Sequence, residues 1–193
     1  MASAPLPKIA VASAAEICAR YNLTPEAKAL LREGMAPGEF VGALVEHKQY
    51  VAGIDFLCHA LPAREAIWWG CLCMQHACGD AEFPAPERAA AIAAVRWVMQ
   101  PTDENRAAAK SPAEVAGAAS SAGALAGAVT QTAPAAPPPD VPNMPPPPAL
   151  VWAKSVATAV KLASIKGDPA RMLHRQRALL ELGIGVAEGR YLN

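Results

Sequence analysis

Aromatic residues are scarce in this 193-residue chain: four Trp, three Tyr and three Phe, 5% of the total. An excess charge of one sign is missing too, since 17 Lys and Arg stand against 17 Asp and Glu. A nucleic-acid-binding protein normally carries a basic stripe that neutralises phosphates. The single basic cluster here, Arg171, His174, Arg175 and Arg177, reads as a solvated helix face. No nucleic-acid partner is therefore expected. No segment offers about 18 uncharged apolar residues of membrane-spanning quality; residues 113–133 are small and interrupted by Gly, so no membrane partner is expected either. The apolar run from Ile9 to Ala15 meets Glu16 where a signal-peptide cleavage site would lie, which argues against secretion. Period-two runs of β-branched residues are missing, as are Gly-Lys-Ser/Thr, His-Glu-x-x-His, Gly-x-Ser-x-Gly and a strand followed by Gly-x-Gly-x-x-Gly. The familiar nucleotide, zinc-protease and hydrolase signatures are thus excluded.

Alanine is what the chain has in quantity, 45 residues of it. Alanine has the best intrinsic helix propensity but buries little area, so the core depends on the scarcer Leu, Ile, Val, Met and aromatic residues. The expected fold class is all-α, an irregular multi-helix bundle. Helix starts are well marked. Ser13-Ala14-Ala15-Glu16 has the capping-box pattern. Thr24-Pro25-Glu26 puts a cap before a first-position proline, and Pro37 with Glu39, Pro62 with Glu65, Pro86 with Glu87 and Pro112 with Glu114 repeat the grammar. Gly34 and Gly79 fall where helix C-termini belong. The expected helices are 13–21, 25–33, 37–47, 49–60, 62–78, 86–99, 103–109, 149–165 and 169–182. The proline starts are about 25 residues apart and invite a repeat reading, but the side chains fail to recur, so a single bundle is preferred.

The expected organisation is a flexible N-terminus at 1–12, a helical domain at 13–112, a linker at 113–148 and a helical hairpin at 149–193. Ala, Gly, Ser and Thr dominate 116–133, and prolines follow up to Pro145-Pro146-Pro147-Pro148. Such a stretch buries too little area to offset its ordering entropy, and its proline part favours polyproline II. The proline run reads as a spacer, with a docking motif for aromatic grooves as the alternative. The hairpin carries Val151, Trp152, Val156, Val160 and Leu162 on one stripe and Leu173, Leu179, Leu180 and Leu182 on the other. It is small for independent stability and is expected to pack on the main domain. Gly183-Ile184-Gly185 reads as a helix stop followed by a tail.

The richest stretch is 59–73, which holds two of the four Trp and two of the five Cys behind Pro62. His59-Ala60-Leu61-Pro62 followed by Arg64-Glu65-Ala66 and Trp68-Trp69 resembles a family of uncharacterised bacterial proteins, over about residues 24–78. That resemblance implies a group and no activity. Being apolar on nearly all sides, helix 62–78 is expected to be the most buried element, with Trp68 as a core aromatic.

Cys58, His59, Cys71, Cys73, His76 and Cys78 lie close enough in sequence to raise a zinc site. On a helix, however, Cys71 and Cys78 share a face with Arg64, Ile67, Trp68 and Met74, while Cys73 and His76 point the other way with Glu65, Trp69 and Leu72. Small buried hydrophobes account better for these Cys, and no metal or other cofactor is expected. Their odd number in apolar helical sequence suits a reducing cytoplasm. Cys73, His76 and Asp80 have the spacing of a nucleophilic triad at one helix end, but nothing nearby supplies an oxyanion hole, and no catalytic residue is assigned. Asp55 and His59 are four apart on an otherwise apolar helix, where a buried Asp needs a partner such as His59, Arg64 or Lys48. Arg64 shares a face with Trp68, positioned to stack on it, to anchor an internal carboxylate or to hold a ligand's acid group.

The resulting expectation is a non-catalytic cytoplasmic helical protein, an adaptor or accessory factor whose partner is another protein or a second copy of this chain. The alternative is a small-ligand- or metal-binding helical domain lined by Arg64, Trp68, His59 and Asp55. An enzyme of unknown class is third.

Overall fold

The computed structural model describes residues 5–79, 82–134 and 150–191. Among them every regular element is helical. In chain order these are α1 (Ala14–Cys18), α2 (Pro25–Ala29), α3 (Pro37–Glu46), α4 (Tyr50–Ala60), α5 (Ala63–Cys78), α6 (Ala85–Met99), α7 (Asp103–Ala108), α8 (Lys110–Ala116), α9 (Ser121–Thr130), α10 (Val151–Ile165) and α11 (Met172–Ala187), with a 3-10 turn at Pro169–Arg171. No helix among the described residues is long and apolar enough to cross a membrane.

The local signals act much as their chemistry requires. The Thr24 hydroxyl accepts from Ala27 N at 3.3 Å, capping α2. Glu39 reaches back to accept from Ala36 N at 2.9 Å at the start of α3. Ser13 departs from the pattern, because its side chain makes no cap hydrogen bond to α1. The backbone N–H of Ala14 donates instead to Met35 O at 2.9 Å, so tertiary contact replaces the capping box.

A central group of α4, α5, α9, α10 and α11 carries the core. α10 makes its largest contact with α9 and also lies against α5, α4 and α11, while α11 packs on α5 and α4. α1 and α3 cover α4, and α6 and α8 cover α9. The linker expected over 113–148 is corrected in its first half. Ser121–Thr130 is a helix, capped by the Ser120 hydroxyl accepting from Gly123 N at 3.0 Å, and Leu125, Ala126, Ala128 and Val129 are fully buried. Small side chains let α9 lie close to its neighbours: a Cβ on Gly70 of α5 would sit 2.4 Å from Leu125 Cδ1. The Ala/Gly composition that suggests a linker is here the means of close packing. The proline run lies outside the described residues.

Three further expectations change. The described part of the N-terminus is tied down, with Lys8 N donating to Ala187 O at 3.1 Å and Leu6, Ile9 and Val11 packed on the core. Gly183 and Gly185 lie inside α11, which runs on to Ala187. Gly183 leaves room for an indole, since a Cβ there would stand 2.5 Å from Trp69 Cε2. Finally, α4 and α9 bury a larger share of their residues than α5 does. The reason is that both ends of α5, Ala63–Glu65 and 75–78, stay partly exposed and Trp68 is only half-buried, whereas Trp69 is fully buried and donates its Nε1–H to Leu179 O at 2.8 Å.

Candidate functional site

The turn after α1, the C-terminal half of α4 and one face of α10 line an open cavity of about 440 Å³. Asp55 and His59 are one helical turn apart on α4, so both reach it. Lys154, Thr158 and Lys161 follow the same logic on α10, at spacings of four and three. Arg20 and Tyr21, just beyond α1, close the third side.

Asp55 finds its partner in Lys161, with Nζ 2.7 Å from Oδ1 and both side chains partly exposed. The partners expected from sequence, His59, Arg64 and Lys48, do not supply the ion pair. His59 instead bonds the backbone of its own helix, with Nδ1 2.7 Å from Asp55 O. A carbonyl oxygen only accepts, so Nδ1 carries the proton and Nε2 is a bare acceptor. Among the described residues the buried Nε2 has no hydrogen-bond partner, and His59 is only 3% exposed. The Tyr21 ring stacks on the imidazole at 4.5 Å between centroids, and Arg20 Nη1 donates to His59 O at 2.7 Å. Burial pushes the Tyr21 hydroxyl well above its usual range, with Cys18 adding to the shift.

Burial also lowers the His59 pKa from its ordinary 6.5, helped by the charges of Lys154 and Arg20 and opposed by Asp55. The unfolded chain, with the higher pKa, takes up the proton first as pH falls. His59 therefore contributes stability that is fully present above about pH 6.5 and is lost as pH drops from there through the lower folded value. Urea midpoints at pH 7.5 and 5.5 should fall more steeply for the wild type than for His59→Gln. Equal slopes in the two proteins would contradict this account.

The other two candidate residues lie elsewhere. Arg64 Nε donates to Val98 O at 2.9 Å, answering a carbonyl left open near the end of α6. Trp68 Nε1 donates to Tyr191 O at 3.1 Å. Both are thus tied to the backbone of other elements, and the four-residue site of Arg64, Trp68, His59 and Asp55 does not assemble. Trp68 lines a second cavity, an apolar groove of about 320 Å³ between α5 and α6, with Cys71, Leu72, Phe83 and Val95.

Three buried thiols of α4 and α5 are passive. Burial raises Cys71 to about 12 and pushes Cys58 and Cys73 well above the ordinary thiol value. A thiol kept protonated is a poor nucleophile and a poor metal ligand. Cys73 Sγ lies 3.9 Å from Leu179 O in the interior, whereas His76 is exposed, so these two do not form a couple. Asp80 lies outside the described residues. Among the described residues no three His, Cys, Asp or Glu side chains gather as a metal-holding group.

Sequence reasoning missed Arg20, Lys154 and Lys161. Lys154 and Lys161, seven residues apart, share one face of α10, a signal left unread beside the apolar stripe; α4 lies about a hundred residues earlier, and only the fold joins the two faces.

The chain belongs to DUF6931, a family of unknown function, matched over residues 40–187. The resemblance read from residues 24–78 thus begins later and extends much further, taking in α3 to α11 and the hairpin beyond the proline run. No curated protein and no solved structure matches the chain.

Proposed function

We propose that this DUF6931 protein is a cytoplasmic, non-catalytic docking protein that holds another protein on the outer face of α6. The observation that carries this reading is an apolar stripe left open on that helix. Ile92, Val95 and Met99, spaced by three and four residues, are 52%, 37% and 61% exposed. The groove containing Trp68, Leu72 and Phe83 borders the stripe at Val95. Such a row beside a groove between helices suits the apolar face of a partner helix.

Charge selects among occupants. Exposed Arg88 and Arg96 bracket Ile92 on the same helix. An antiparallel pairing of two copies centred on Ile92 would bring Arg88 of one towards Arg96 of the other, which like-charge repulsion disfavours. An amphipathic helix with acidic residues flanking its apolar stripe meets both features. The assignment to the cytoplasm rests on Cys18, Cys58, Cys71 and Cys73, buried free thiols of a kind that persist in a reducing compartment.

A photo-cross-linking residue at Ile92, expressed in the native host, tests the reading, with one at exposed Arg171 as control. The expected product is a single dominant adduct at position 92, mapped to an acid-flanked amphipathic helix and lost on Met99→Glu. Adducts to a second copy of this chain, or equal products at both positions, would overturn it.

A further inference from the structure

We propose that the cavity between α4 and α10 is a binding site for a small phosphate ester carrying a free hydroxyl group. This goes beyond the docking reading and uses a different surface.

The charge around the cavity comes first. Arg20, Lys154 and Lys161 line it with Asp55 as the one carboxylate among the described lining residues, and Asp55 is taken up by Lys161 at 2.7 Å. Three cations against one carboxylate leave a positive excess matched to a phosphate dianion. A carboxylate would compensate only part of it. Lys154 has no ion-pair partner among the described residues and stands exposed at the rim. Arg20 gives an Nη1 proton to His59 O at 2.7 Å, which holds the guanidinium in place while its other N–H groups remain for an oxyanion. Asn22 and Thr158 add neutral polar groups to the lining.

The second observation is independent of charge. His59 lines this cavity, is 3% exposed, and has a buried Nε2 with no partner among the described residues. A buried polar atom without a partner is uncommon and costly. Because Nδ1 already donates to Asp55 O, what Nε2 lacks is a donor. A fully ionised phosphate cannot give one, but a hydroxyl elsewhere on the same ligand can. Burial keeps His59 in the neutral form that accepts. One molecule that carries both groups would meet both demands, its phosphate with Arg20 and Lys154 and its hydroxyl on the His59 side of the cavity. The volume of about 440 Å³ is that of an ordinary small-ligand site.

Calorimetric titration of the full chain with four probes tests this: glycerol 3-phosphate, inorganic phosphate, glycerate and glycerol. Glycerol 3-phosphate should bind most tightly. Lys154→Met should weaken it about tenfold or more, while Arg171→Met, which removes an exposed charge away from the cavity, should leave it unchanged. His59→Gln should narrow the gap between glycerol 3-phosphate and inorganic phosphate, as expected if the hydroxyl meets Nε2. Lys154 is exposed, so its variant remains a test even if His59→Gln fails to fold. No binding of either phosphate at millimolar concentration would overturn the proposal. So would glycerate binding as tightly as glycerol 3-phosphate, or equal losses in the Lys154 and Arg171 variants.

Discussion

Replacing Trp69 by Ala is expected to cost about 3–5 kcal/mol of folding stability, the range for removing a core aromatic. Trp69 is fully buried, its Nε1–H satisfies Leu179 O at 2.8 Å, and its ring fills the space that Gly183 leaves open on α11. The substitution opens a void between α5 and α11 and strips a hydrogen bond from the α11 backbone. For a chain of this size the midpoint of a thermal melt followed by circular dichroism should fall on the order of 10 °C. Trp68→Ala should cost far less, because that indole is half-buried and bonds Tyr191 O near the end of the described chain. Equal shifts in the two variants would show that the adjacent tryptophans are not divided between core and surface in this way.

Leu125→Ala is expected to destabilise by about 2–5 kcal/mol. A residue in a solvated linker would change stability hardly at all, so this substitution separates the two readings of residues 116–133. Leu125 is fully buried on α9, and its side chain lies over Gly70 of α5. α9 is moreover the principal neighbour of α10, so loosening it loosens the seat of the C-terminal pair of helices. Urea unfolding with an unchanged midpoint would mean that α9 is dispensable to the fold. An intermediate seen only in the variant would show that α9 joins the C-terminal pair to the rest.

Read alone, the amino-acid order determined the helical class and most of the helix starts. Proline at a first position, an acid in the first turn and Thr24 as a cap are short-range chemistry, complete within four residues. The burial of Cys58, Cys71 and Cys73 followed from the apolar helical sequence around them, since periodicity alone puts Cys71 and Cys73 on opposite faces. Three things were decided only by the tertiary structure. Small residues look alike whether they are solvated or let helices approach closely, so α9 read as linker until Leu125 and Gly70 were seen in contact. Helical periodicity places Trp68 and Trp69 on different faces without saying which face meets α11; Gly183 and Leu179, more than a hundred residues later, make that choice. The cavity is the clearest case. Asp55 and His59 were legible as a pair on one helix face, but their surroundings were not. Lys161 takes Asp55, Arg20 takes the His59 carbonyl, and Lys154 stands at the rim because α1, α4 and α10 converge there. Charge compensation and hydrogen bonding act over a few ångströms in space, and a sequence separation of about a hundred residues hides that proximity until the chain is folded.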